Sequence, residues 1–114
     1  MSPTRQTDEK RYQALRRSLA EIGYFRRGSL VQRFLPCGKP GCRCQAHPPR
    51  LHGPYWQWTR KVRGKTVTVR LTLNEAQLLG EWIANGRRLR TTLLLLERLS
   101  LRLTERLLRQ SRHS

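Results

Sequence analysis

Cys37-Gly38-Lys39-Pro40-Gly41-Cys42-Arg43-Cys44 is the stretch on which the reading of this chain turns, with His47 and His52 close behind it. Clustered thiolates and imidazoles are the donor set of tetrahedral zinc, and three cysteines leave one position to fill. Gly38 and Gly41 let the backbone turn tightly enough for the first two sulfurs to converge. Lys39, Arg43 and the N–H groups of such turns offset the charge of three thiolates. His52 is the better fourth ligand, because it stands where the loop returns to a strand at Pro54 and so clips loop to sheet. His47, directly after the cysteines, is the alternative. Free buried cysteines fit a Gly-rich basic segment poorly, and no oxidoreductase pattern accompanies Cys42-Arg43-Cys44 to support a redox pair.

Outward from this knuckle the apolar residues alternate. Ser29 to Leu35 reads as a first strand, Pro54 to Lys61 as a second and Lys65 to Leu71 as a third, with a hairpin turn at Arg63-Gly64. The segment from Pro36 to Pro54 is a long loop, and a loop of that length in a small domain needs something to organise it. Before the strands, Thr7 with Asp8 and Glu9 reads as a helix start. Tyr12, Leu15, Leu19 and Ile22 then recur at helical spacing up to a stop at Gly23, and residues 1–6 read as a disordered tail.

Thr72 and Glu75 form a capping box that opens a last helix. Leu79, Trp82, Leu89, Leu93, Leu96, Leu103 and Leu107 share one heptad frame of coiled-coil type, with Gly86 and Ser100 as its weak positions. Leu94, Leu101 and Leu108 form a second apolar line. Asn85-Gly86 could end the helix, but one glycine costs only ~1 kcal/mol against so long a seam, so continuity is the favoured reading. The expected fold is α+β: a short N-terminal helix, a small three-stranded antiparallel sheet with a zinc knuckle, and a long leucine-rich C-terminal helix. The expected organisation is a helix plus knuckle β domain over 7–73 and a helical arm or dimerisation element over 74–114.

The charge points to a partner. Against 24 Lys and Arg stand 7 Asp and Glu, for a net +17, and no acid falls between Glu21 and Glu75. Surfaces shaped for solubility alone intersperse both signs, whereas a one-sided excess attracts a polyanion. The expected nucleic-acid contacts are Arg26, Arg27, Arg33, Lys39, Arg43, Arg50, Arg60, Lys61, Arg63 and Lys65. Trp56 and Trp58, on one side of a strand, are better read as core than as base-stacking platforms. DNA and RNA are equally open.

The cysteine cluster with His52-Gly53-Pro54-Tyr55-Trp56 resembles a family of small basic bacterial and phage-borne proteins. These pair a Cys-Gly-Lys-x-x-Cys-x-Cys knuckle with a His-Gly-Pro-Tyr strand start and a helical C-terminus. The resemblance spans roughly residues 29–90. It implies that Cys37, Cys42, Cys44 and His52 form one site, since His47 lies outside the family's pattern, and it suggests an association with mobile genetic elements.

The sequence therefore anticipates a zinc-stabilised nucleic-acid-binding protein with one Zn2+ per chain, an accessory factor of a mobile element or of gene regulation. The alternative is an assembly adaptor whose leucine-rich helix docks on a larger nucleoprotein enzyme. Enzymatic activity is not expected, because the basic segment holds no carboxylate to act as general base. Three clustered cysteines suit a reducing cytoplasm better than a disulfide framework, and the longest apolar run, Leu93 to Leu96, is too short to span a bilayer. A second copy or a helical protein partner is expected on the leucine face.

Overall fold

The computed structural model describes residues 3–46 and 50–113. In chain order it contains α1 (Pro3–Leu19), β1 (Ser29–Leu35), a 3-10 turn (Arg43–Gln45), β2 (His52–Val62), β3 (Lys65–Leu71) and α2 (Leu73–Arg112). The strands form one antiparallel sheet in the order β1-β2-β3, so the anticipated α+β architecture is the one present.

The hairpin forms for the reason its sequence gives. Arg63 (φ 51°) and Gly64 (φ 79°) both occupy left-handed backbone, the geometry of a two-residue turn whose twist matches its strands. Pairing then runs from Val62↔Lys65 to Trp56↔Leu71. β1 pairs β2 from Ser29↔Thr59 to Leu35↔His52, with an irregularity between Arg33 and Leu35. Side chains directly opposite each other share a face. Leu30, Trp58 and Leu71 therefore lie on the side that meets Leu79, Trp82 and Ile83 of α2. Trp58 is core, as the alternation implied. The other side carries Arg33, Tyr55, Gln57 and Arg70, with Thr59 bonded to Thr68 and Lys61 donating to Thr66.

The capping box closes as expected. The Thr72 N–H donates to Glu75 Oε1 at 2.9 Å and the Glu75 N–H to Thr72 Oγ1 at 3.2 Å. Thr72→Ala is expected to cost about 1 kcal/mol in a denaturant titration. The Thr72 N–H, and then its hydroxyl, hold the Glu75 carboxyl below its usual range. A depressed folded-state value contributes stability at neutral pH that is lost as pH falls through it. Thr72→Ala keeps the backbone N–H, the larger cause, so only the hydroxyl's share of its deficit should fade in acid.

Two compact units emerge: Phe25–Ala84, and the segment through Tyr24 with the residues from Asn85 on. The boundaries differ from those expected: α1 groups with the second part of α2 instead of with the sheet. Helix α1 also begins at Pro3, not Thr7, so residues 3–6 are helical where a tail was expected. Proline is well suited to a first helical turn. The helix ends at Leu19, before Gly23, in a run of tight turns from Ala20 N–H to Ile22 N–H. Asp8 is no helix-start residue: it is buried, 3.3 Å from Arg102 Nη2 and 3.0 Å from Arg106 Nη2.

Helix α2 continues through Asn85-Gly86, where Asn85 Nδ2 donates to the Tyr24 carbonyl at 2.8 Å. The single heptad frame does not describe it. In the first unit Ala76, Leu79 and Ile83 are buried; in the second, Leu96 and Leu99 are, while Leu93 and Leu107 stay about half exposed. One frame presumes one partner along the whole helix, and here the sheet serves the first part and α1 the rest. Leu94, Leu101 and Leu108 are exposed, on the side of the helix opposite Leu96, Leu99 and Leu103.

Candidate metal centre

The pairing Leu35↔His52 sets the site. It places the first residue of β2 beside the last of β1, two residues before Cys37. Gly53 (φ 148°) permits the approach, since a side chain there would meet the Arg33 carbonyl at 2.8 Å and the Phe34 ring at 2.9 Å. From Cys37 the chain reverses through a turn closed by Cys42 N–H to the Lys39 carbonyl, with Gly41 at φ 78°. The 3-10 turn follows, closed by Gln45 N–H to the Cys42 carbonyl at 2.9 Å, and it buries Cys44. Arg50 N–H returns to the Arg43 carbonyl at 3.2 Å and brings the chain back toward β2.

Cys37, Cys42, Cys44 and His52 converge, their ligand atoms all within 4.8 Å of one another. Cys37 Sγ and Cys44 Sγ stand 3.5 Å apart, and Cys42 Sγ is 3.0 Å from His52 Nε2. Ligands 2.0–2.3 Å from a tetrahedral ion stand roughly 3.3–3.8 Å from each other, so these four are close enough to hold one metal ion. His47, the alternative ligand, lies outside the described residues.

The thiols differ in electrostatics. The N–H of Cys44, then His52 and the Cys37 thiol, pull Cys42 down to about 6. A backbone bond at Lys39 pulls Cys37 down, but the sulfurs of Cys42 and Cys44, with burial, outweigh it and the net shift is upward. One thiolate, that of Cys42, forms readily, while Cys37 beside it resists ionisation. A cation among them would remove that conflict, so the donor set suits a metal ion. The Cys37 N–H donates to Cys44 Sγ at 3.3 Å and Gln45 Nε2 to the Cys37 carbonyl at 3.4 Å, which orients the ligand loop.

The ten basic residues singled out from the sequence all lie in the sheet unit. Arg26 and Arg27 precede β1, and Arg33 is on the outer sheet face. Lys39, Arg43 and Arg50 ring the knuckle, and Arg63 and Lys65 form the hairpin tip. All of these and Lys61 are exposed, while Arg60 is half-buried against Trp58 with its Cζ 3.9 Å from the indole centroid. Two further residues belong with them. Arg70 lies over the Tyr55 ring at 4.1 Å, and Phe25 is 52% exposed beside Arg26. Arg70 was legible as one more cation of the acid-free stretch, but its stacking depends on a diagonal across strands.

A family model for a domain of unknown function, DUF6788, matches residues 5–78. That span holds most of α1, the whole sheet with its ligand cluster, and the start of α2. Neither the curated proteins nor the solved structures contain a match to the chain.

Proposed function

This chain belongs to the DUF6788 family, and we propose that within it the chain acts as a zinc-stabilised nucleic-acid-binding protein, not an enzyme. The observation that carries this reading is the continuous acid-free run of exposed cations on a sheet unit whose longest loop is gathered by Cys37, Cys42, Cys44 and His52. Zinc is the ion that best suits three thiolates and an imidazole. Its role is structural, since all four donors are protein side chains and none of the four tetrahedral positions is left for a substrate. The family resemblance adds a setting, that of a mobile-element or gene-regulatory accessory factor. The three cysteines carry no disulfide, which suits a reducing compartment, and among the described residues no helix is long and apolar enough to cross a membrane.

Phosphate contacts release counterions, so each one steepens the fall of affinity with salt by roughly 1 in log–log slope. Neutralising Arg60, Lys61, Arg63 and Lys65 together is expected to flatten that slope for a labelled duplex or single strand. The same operation on Arg98, Arg102, Arg106 and Arg109 is expected to change it less, because Arg102 and Arg106 are already engaged by Asp8. A larger effect from the helix set would reverse this division of labour.

A second reading, an adaptor that docks through its helix, is favoured by the exposed line Leu94, Leu101 and Leu108. Either a second copy or a helical partner would suit it. It predicts little nucleic-acid affinity for the isolated protein, and light scattering at micromolar concentration separates self-association from a foreign partner.

A further inference from the structure

β2 outruns β1. Pairing with β1 begins at Ser29↔Thr59, so Arg60, Lys61 and Val62 extend past the start of the first strand with β3 alone as neighbour. Residues 25–28 lie along that open edge, and between the two runs is a cleft of about 370 Å³ lined by Phe25, Arg26, Arg27, Trp58, Arg60 and Lys61. It continues into a second hollow shared by Arg27, Arg60 and Lys61.

The approach of these runs is built in. Trp58 Nε1 donates to the Arg27 carbonyl at 3.0 Å, and Gly28 makes room for it. Gly28 sits at φ 125°, and a Cβ there would come within 2.5 Å of Trp58 Nε1 and 2.6 Å of the Thr59 carbonyl. The Arg26 and Arg60 guanidiniums are thereby held on one indole, 4.4 and 3.9 Å from its centroid. Arg60 Nη1 is a buried donor that meets no acceptor among the described residues. None of the four cations of the cleft makes an ion pair among the described residues, and no acid lies nearby in sequence. Fixed like charges gathered around one hollow, without an acid among them, favour an anion there. Phe25, 52% exposed at the rim, adds an apolar face of the size of a base.

We propose that this cleft is the phosphodiester seat of a single-stranded nucleic acid, Arg26, Arg27, Arg60 and Lys61 taking the backbone while Phe25 stacks an unpaired base. The proposal rests on the nucleic-acid reading above and sharpens it. A duplex could offer its phosphates to the cations, but only an unpaired base can lie on Phe25.

The test uses the full-length, metal-loaded protein and fluorescence anisotropy with a labelled oligothymidylate and a duplex of equal length across a salt series. Arg27→Gln with Lys61→Gln should lower the single-strand slope by about 1.4, two contacts at about 0.7 each. Neither of those side chains stacks on the indole, so the pair leaves the core intact; Arg26→Gln with Arg60→Gln should act alike if its thermal melt is unchanged. Phe25→Ala should weaken single-strand binding roughly tenfold and leave the duplex unaffected. Arg33→Gln with Arg70→Gln, a pair that lines neither hollow, tests the Arg33–Arg70 patch as the rival seat. If that pair lowers the slope while the cleft pairs and Phe25→Ala do nothing, nucleic-acid binding stands and the cleft is overturned as its seat. If the wild type binds neither oligonucleotide at physiological salt, or binds only polyglutamate, the functional reading itself fails and the cleft proposal with it.

Discussion

Chelation of the purified protein is expected to release one zinc per chain and to unfold the segment between β1 and β2, at a stability loss on the order of several kcal/mol. The buried apolar set of the sheet unit is small, with Trp58, Leu79 and Ile83 at its centre. Among the described residues, the loop from Pro36 to the start of β2 is otherwise anchored chiefly by the turn bonds around Cys42, Gln45 Nε2 to the Cys37 carbonyl and Arg50 N–H to the Arg43 carbonyl. Cys44→Ser should be the most damaging single change, because Cys44 is 3% exposed and also accepts the Cys37 N–H. His52→Ala should loosen the ion more than His47→Ala. Metal analysis, melting with and without chelator, and amide exchange in β1 would report these outcomes. A protein that purifies without zinc, or melts unchanged in chelator, refutes the structural role of the site. The reverse ranking of the histidines would move the fourth ligand to His47.

The second large effect concerns a carboxylate far from that site. Asp8 is 3% exposed and faces both Arg102 and Arg106. Breaking a buried ion pair from one side strands the other charge, typically at ~3–5 kcal/mol. Arg102 is half open to water, which screens its share, so Asp8→Asn is expected to cost about 2–3 kcal/mol. Arg106 Nη1 is already buried without a hydrogen-bond partner, and the neutral amide leaves its charge unanswered. Asp8→Leu combined with Arg106→Met should recover most of the loss, since removing both charges avoids the stranded ion. Equilibrium unfolding of the single and double variants decides it; a double variant as unstable as the single would mean that Asp8 acts through packing and not charge.

The two halves of the molecule differ in how far their sequence discloses them. The sheet is legible because its signals are local: alternation at Trp56 and Trp58, left-handed residues at Arg63-Gly64, and a cap written in Thr72 and Glu75. The ligand cluster is legible because three cysteines in one loop can converge only on each other and on the strand that follows. The helical unit is not legible in the same way. Asp8 reads as a helix-start acid until Arg102 and Arg106, more than ninety positions away, are placed beside it. Leu99 escapes a heptad frame drawn through Trp82, because that frame assumes a partner shared along all of α2. The Arg26–Trp58–Arg60 stack depends on Gly28, whose requirement for left-handed backbone appears only once the indole nitrogen is seen against it.

The pairing of Leu35 with His52 carries one more consequence. A strand that slips by a single residue turns its whole inner face outward, and in a sheet this narrow few contacts oppose the error. Here the strand that could slip carries the histidine ligand as its first residue, and the neighbouring strand runs straight into the first cysteine. A misaligned chain therefore presents three donors instead of four. An ion held by all four donors would thus favour this one register, alongside the hydrophobic pattern that selects it.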